Sequence, residues 1–103
     1  MFSLIETKLT RLVQENLTDD EDRELQSFLI TEPTAGDVVP GSGGVRKLRW
    51  RVDGRGKRGG LRVIYFVEAE QSVIWMLTLY PKNVRDNISA KALRQIRKEV
   101  ENG

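Results

Sequence analysis

The hydrophobic period of this chain changes from helical to extended at Gly36, and that change constrains the fold more than any bulk property does. Before it, Leu9, Leu12 and Val13 fall at helical spacing, so a short amphipathic helix is predicted over residues 8–16. Thr18-Asp19-Asp20-Glu21 has the form of a capping box, with the Thr18 hydroxyl accepting the Glu21 amide and the Glu21 carboxylate reaching back. Its acids also suit the positive end of the helix dipole. Leu25, Phe28 and Leu29 form the inner face of this second helix, which Pro33 ends. The two helices are expected to form a hairpin.

After Gly36 the period is two. Leu48, Trp50 and Val52 point to one side of a strand, while Lys47, Arg49 and Arg51 point to the other. Residues 61–67 are β-branched and aromatic-rich, and residues 73–80 form a continuous apolar run, so both predict central strands of an antiparallel sheet. Residues 53–60 contain four glycines, which predicts a flexible hairpin loop rather than a two-residue turn. Ser89 can cap a last helix, with Ile88 and Leu93 as its hydrophobic staple and Leu93, Ile96 and Val100 as its apolar face. With an edge strand over residues 2–6, the order is β-α-α-β-β-β-α. This is an α+β arrangement, expected as two layers with the helices on one face of the sheet.

A chain of 103 residues, 39% hydrophobic, is expected to fold as a single domain over residues 1–103. It has no cysteine and no histidine, which excludes disulfides, thiolate metal sites and the commonest general base. Chemistry must therefore run on Lys, Arg, Tyr, Ser, Thr or carboxylates. No apolar run approaches the ~20 residues of a membrane span, and no secretory pattern opens the chain, so a cytoplasmic, membrane-free protein is expected.

The net charge of +2 conceals a strong polarity. Residues 46–62 hold eight basic residues (Arg46, Lys47, Arg49, Arg51, Arg55, Lys57, Arg58 and Arg62) against the single acid Asp53, for +7. The remaining 86 residues carry −5. Such a field favours a polyanion at one place. Lys47, Arg49 and Arg51 on alternate residues would stand roughly 6.5–7 Å apart, near the phosphate spacing of an extended single strand. A solvated sheet face is the bland alternative, but solvated faces usually mix signs. Single-sign clustering favours nucleic acid.

Gly54-Arg55-Gly56-Lys57-Arg58-Gly59 matches G-x-G-x-x-G, yet a dinucleotide fingerprint must open a helix, and here a strand follows. The P-loop pattern fails because Lys57 precedes Arg58 rather than Ser or Thr. What survives is a glycine-jointed loop with guanidinium donors suited to phosphate. At the end of the last strand, Tyr80 is followed by Pro81, Lys82 and Asn83. A lone strand tyrosine is more often core, but a phenol beside several cations has its anion favoured and can take part in proton transfer. Trp50 and Trp75 sit on apolar strand faces and are expected in the core. No carboxylates cluster near the basic face, so no metal site or cofactor is expected.

Together, Gly36-Asp37-Val38-Val39-Pro40-Gly41-Ser42-Gly43-Gly44-Val45-Arg46-Lys47-Leu48-Arg49, the hairpin segment from Gly54 through Arg62-Val63-Ile64-Tyr65-Phe66, and Leu77-Thr78-Leu79-Tyr80-Pro81-Lys82-Asn83 resemble the RelE/HigB toxins of bacterial type II toxin–antitoxin modules. The likeness is greatest to the HigB branch and covers nearly the whole chain. It implies a RelE-like fold, ribosome-dependent cleavage of mRNA in the A site of the 70S ribosome, and a cognate antitoxin. It also implies attack by the substrate's own 2′-hydroxyl without metal. Such a reaction needs a base, cations for the phosphorane, and a proton for the leaving 5′-oxygen. By this resemblance the family's strand lysines fall on Lys47 and Arg49, its hairpin arginine on Arg62, and its post-strand basic residue near Lys82, with Tyr80 at the strand end. Lys57 and Arg58 match the basic loop; Arg46, Arg51, Arg55 and Asn83 complete the RNA-binding set.

One of the two strand lysines is an arginine here, and arginine is a poor proton acceptor. Ile88 stands about where some relatives carry a C-terminal tyrosine. Lys47 or Tyr80 is thus left to handle the proton, with Arg49, Arg62 and Lys82 holding the phosphate. Two other functions fit the same resemblance. A ParE-like gyrase inhibitor shares the fold but generally lacks so dense a cation set, and a non-catalytic RNA- or antitoxin-binding module would grip phosphate without cutting it. The antitoxin is expected to present acidic groups to the cluster.

Overall fold

The computed structural model describes residues 2–6, 10–52, 60–82 and 88–102. Arg55, Lys57, Arg58 and Asn83 of the expected RNA-binding set, and Lys8 at the start of the first helix, lie outside the described residues.

The chain opens with β1 (Ser3–Glu6), followed by α1 (Thr10–Asn16) and α2 (Asp19–Thr31). Leu17 and Thr18 join the two helices. The capping box forms as expected: the Glu21 amide donates to Thr18 Oγ1 at 3.2 Å and the Thr18 amide donates to Glu21 Oε1 at 2.7 Å. Helix α2 ends at Thr31 because Glu32, preceding Pro33, is driven out of helical geometry to φ −127° and ψ 67°.

Four strands follow: β2 (Asp37–Val38), β3 (Arg46–Trp50), β4 (Leu61–Glu68) and β5 (Val73–Pro81); helix α3 (Ala90–Asn102) comes last. The sheet order is β1-β5-β4-β3-β2. From β5 to β2 every pairing is antiparallel, but β1 joins β5 in parallel, so the sheet is mixed rather than purely antiparallel. Two-residue β2 carries too little pattern to be anticipated from periodicity. Ser89 caps α3 as expected: its Oγ accepts the Ala92 amide at 3.1 Å, and Ile88 and Leu93 pack in one cluster.

The helices do not share one face. Val13, Leu17, Leu25 and Leu29 of the α1–α2 region pack with Leu48, Val63, Tyr65, Ile74, Met76 and Leu79 of the sheet. Leu93 of α3 packs instead with Val45, Ile64, Phe66, Leu77 and Tyr80. Alternation assigns these two sets to opposite sides, so the architecture has three layers, α1–α2 / sheet / α3. The reason lies in β4, whose residues 63–66 are all apolar and buried: a strand segment apolar on both sides needs cover on both.

Candidate active site

Three sequence features place the basic residues. Strand β3 alternates, strand β4 returns antiparallel to it, and β5 returns again, so residues far apart in sequence become neighbours in cross-strand rows. Arg49 pairs with Arg62, and Arg62 pairs with Tyr80. The neighbouring row is Lys47, Ile64 and Thr78. Adjacent partners in such a row have Cα atoms about 4.5–5.5 Å apart. Lys47, Arg49, Arg62 and Tyr80 therefore share the α3 side of the sheet, in two neighbouring cross-strand rows.

A β-bulge makes this row possible. Ile64 pairs with Thr78, but the next residue, Tyr65, pairs with Met76, which leaves Leu77 as the extra residue in β5. Before the bulge, Ile74 and Met76 face α1–α2 while Leu77 faces α3; after it, Leu79 faces α1–α2 and Tyr80 faces α3. Strict alternation from Met76 would have put Tyr80 among the α1–α2 residues and Leu79 among the cations.

The members of the row differ in exposure. Arg49 is exposed and Lys47 half-buried, whereas Arg62 is only 6% and Tyr80 only 7% exposed. The Tyr80 hydroxyl oxygen lies below the surface, and its ring is part of the α3-side cluster. Arg62 Nη1 donates to the Leu61 carbonyl at 3.5 Å. Arg51 and Lys82, just past the ends of β3 and β5, are both exposed. A guanidinium held nearly dry acts through a lower local dielectric than one in open solvent, so its field on a nearby phosphate is less quenched. Among the described residues no group of three or more Asp or Glu side chains is placed to hold a metal ion.

Arg46 stands apart. It lies in register with Tyr65, on the α1–α2 side, and its Nη1 donates to the carbonyls of Gly36 at 2.7 Å and Thr34 at 3.3 Å. Its partners are the loop after α2, on the far side of the sheet from Lys47 and Arg49. Tyr65 braces the same loop. The Gly36 amide donates to its hydroxyl at 2.8 Å, and that hydroxyl donates to the Pro33 carbonyl at 2.9 Å. A Cβ at Gly36 would meet the Tyr65 ring and hydroxyl at 2.9 Å, so only glycine admits this approach. Burial pushes the Tyr65 phenol above its usual 10.0, against the lowering effects of the Gly36 hydrogen bond and Arg46. In the sequence Tyr65 is one more strand aromatic; its role depends on the loop arriving from 29 residues away.

The tryptophans were expected in the core, but both are half-buried and pack against its two clusters. Trp50 packs on Phe28 with centroids 5.3 Å apart, and Trp75 stacks on Phe66 at 6.1 Å and 11°. Helix α3 is fastened beside them by Arg97, whose guanidinium lies 4.9 Å from the Phe66 ring centroid and donates to the Gly43 carbonyl at 2.6 Å.

Two comparisons bear on this arrangement. A family model described as the RelE toxin of the RelE/RelB toxin–antitoxin system matches residues 29–102, from the end of α2 through α3. Among solved structures, the chain is similar to a double arginine-to-alanine mutant of E. coli toxin RelE in the free state. The match has a TM-score of 0.56 and 15% sequence identity, and covers 98% of this chain and 95% of that one. At that identity the likeness is one of fold.

Proposed function

Because the chain belongs to the RelE toxin family, we propose that it is a translation-inhibiting endoribonuclease that cuts mRNA in the A site of the 70S ribosome and is neutralised by a cognate antitoxin. The observation that carries this is the row Arg49–Arg62–Tyr80 with Lys47 beside it, four groups able to hold phosphate or move a proton on one side of three adjacent strands. In this mechanism the 2′-hydroxyl attacks the adjacent phosphorus, its proton passes to a base, and the 5′-oxygen departs with a proton. The products are a 2′,3′-cyclic phosphate and a 5′-hydroxyl, so no metal or cofactor enters the balance.

Lys47 is the better-placed proton carrier because it is half-exposed, whereas the Tyr80 hydroxyl is buried. Arg49 and Lys82 reach the phosphate from solvent, and Arg62 supplies charge from beneath the phosphorane. Arg51, Arg55, Lys57, Arg58 and Asn83 hold the flanking RNA, and Arg46 supports the sheet rather than the substrate. The antitoxin meets the cationic face with acidic groups.

Primer extension on an mRNA translated in the presence of the toxin tests the proposal. Cuts within codons that vanish when translation is blocked are the expected result. Growth arrest with intact mRNA and gyrase-linked DNA breaks would replace it with a ParE-like activity, and intact mRNA with no DNA breaks would leave only a binding module.

A further inference from the structure

Gly60 stands where the glycine-rich loop re-enters the sheet, and three strand ends meet at it. Its φ is +71°, in the left-handed region. A Cβ built there would lie 2.5 Å from the Trp50 carbonyl oxygen, 3.3 Å from the Trp50 carbonyl carbon and 3.4 Å from the Arg51 Cα. All three are backbone atoms, so no side-chain rotation relieves the contact. On its other side, the Gly60 carbonyl accepts the Lys82 amide at 3.2 Å. Gly60 itself is buried. The next residues, Leu61 and Arg62, register against Trp50 and Arg49 on one flank and Pro81 and Tyr80 on the other.

Resting on the proposed cleavage reaction, we infer that Gly60 is a positioning residue: it locks the end of β3, the start of β4 and the end of β5 together, and so sets the mutual spacing of Arg51, Arg62 and Lys82. It touches no substrate and acts through the cations it spaces. Gly60, the last of the four glycines of residues 53–60, is thus a fixed joint. A residue bearing a Cβ must push Trp50 and Arg51 away from β4, widening the gap between Arg51 and Arg62 or breaking the bond to Lys82. Displacement of reacting groups by about 1 Å costs a rate on the order of 10²-fold.

The test is single-turnover cleavage of mRNA on programmed 70S ribosomes by Gly60→Ala and Gly60→Asn. Asparagine accepts positive φ better than any other residue with a side chain, so it relieves backbone strain while retaining the clash with Trp50. It carries the test if the alanine variant does not fold. Both variants are expected to show a rate constant reduced roughly 30- to 100-fold, while affinity for the programmed ribosome stays within about threefold because the cations remain. Gly44→Asn, at a glycine that also has positive φ but where a Cβ would meet nothing within 4 Å, is expected to leave the rate constant within about threefold.

A wild-type rate constant in Gly60→Asn overturns the inference, since backbone conformation alone would then be at stake. So does a reduced reaction amplitude with an unchanged rate constant, which reports only an unfolded fraction. Failure of the wild-type chain to cut at all removes the cleavage reaction and this inference with it. Cleavage that is equal in wild type and variants removes the joint alone.

Discussion

The two sides of this sheet are built by the same three strands and differ in what they leave uncovered. Toward α1 and α2, strands β3, β4 and β5 offer Leu48, Val63, Tyr65, Met76 and Leu79, a side that is apolar except for Arg46 at the start of β3. Toward α3 they offer two halves. Val45, Ile64 and Phe66 lie with Leu93, while Lys47, Arg49 and Arg62 lie toward the other end of β3 and the start of β4. Stability can therefore be assigned mainly to one side and the proposed chemistry to part of the other. Because strand residues alternate, a substitution reaches one side or the other according to its parity.

The largest expected effect comes from disturbing that parity. Inserting one alanine between Thr78 and Leu79 shifts the rest of β5 by one position, which sends Tyr80 to the α1–α2 side and brings Leu79 among the cations. Cleavage is expected to fall to background with a large loss in melting temperature; retention of activity would show that Tyr80 is not needed where it stands. Next is Arg62→Ala, expected to lower single-turnover cleavage about 10²- to 10³-fold, as for removal of a group that stabilises transition-state charge. Because Arg62 is buried, thermal stability should fall as well, so the cleavage rate constant of the folded protein is the decisive measurement.

Val63→Ala, on the apolar side, should cost about 2 kcal/mol in denaturant unfolding through lost burial and a small cavity, with the cleavage rate constant unchanged. Equal losses in rate and stability would break the division between the sides. The smallest effect is expected for Tyr65→Phe, about 1–2 kcal/mol, since the Gly36 amide and Pro33 carbonyl lose a partner. It also carries a pH signature. The Tyr65 phenol is raised above 10.0, so the fold favours its neutral form. That contribution is fully present below pH 10 and is lost as the pH rises through the folded value. Unfolding measured across that range should show wild type losing stability more steeply than Tyr65→Phe.

Much of this was legible in the chain because periodicity is a local signal. The capping box at Thr18 and Glu21, the alternation of Lys47 and Arg49, and the staple at Ile88 and Leu93 each involve residues within a few positions of one another. The side on which α3 packs was less accessible. An apolar run such as residues 63–66 states that both sides are covered without saying by what. The bulge at Leu77 was invisible because a continuous apolar stretch contains no alternation to break. Arg46 misled for a related reason: its charge counts in the cluster, but its parity sends it to the opposite side, where two carbonyls hold it. Charge sums ignore direction.

The parallel seat of β1 sets the timetable on which this chain can complete itself. Ser3 and Leu4 register against Val73 and Ile74, partners 70 positions further along. The first strand to be synthesised must therefore wait for one of the last, and closing so long a loop is an entropic cost that hairpins β3–β4 and β4–β5 do not carry. Until β5 has emerged, the start of the chain has no edge to join and Arg62 has no Tyr80 beside it. The row of Arg49, Arg62 and Tyr80 is thus among the last parts of the sheet to be assembled.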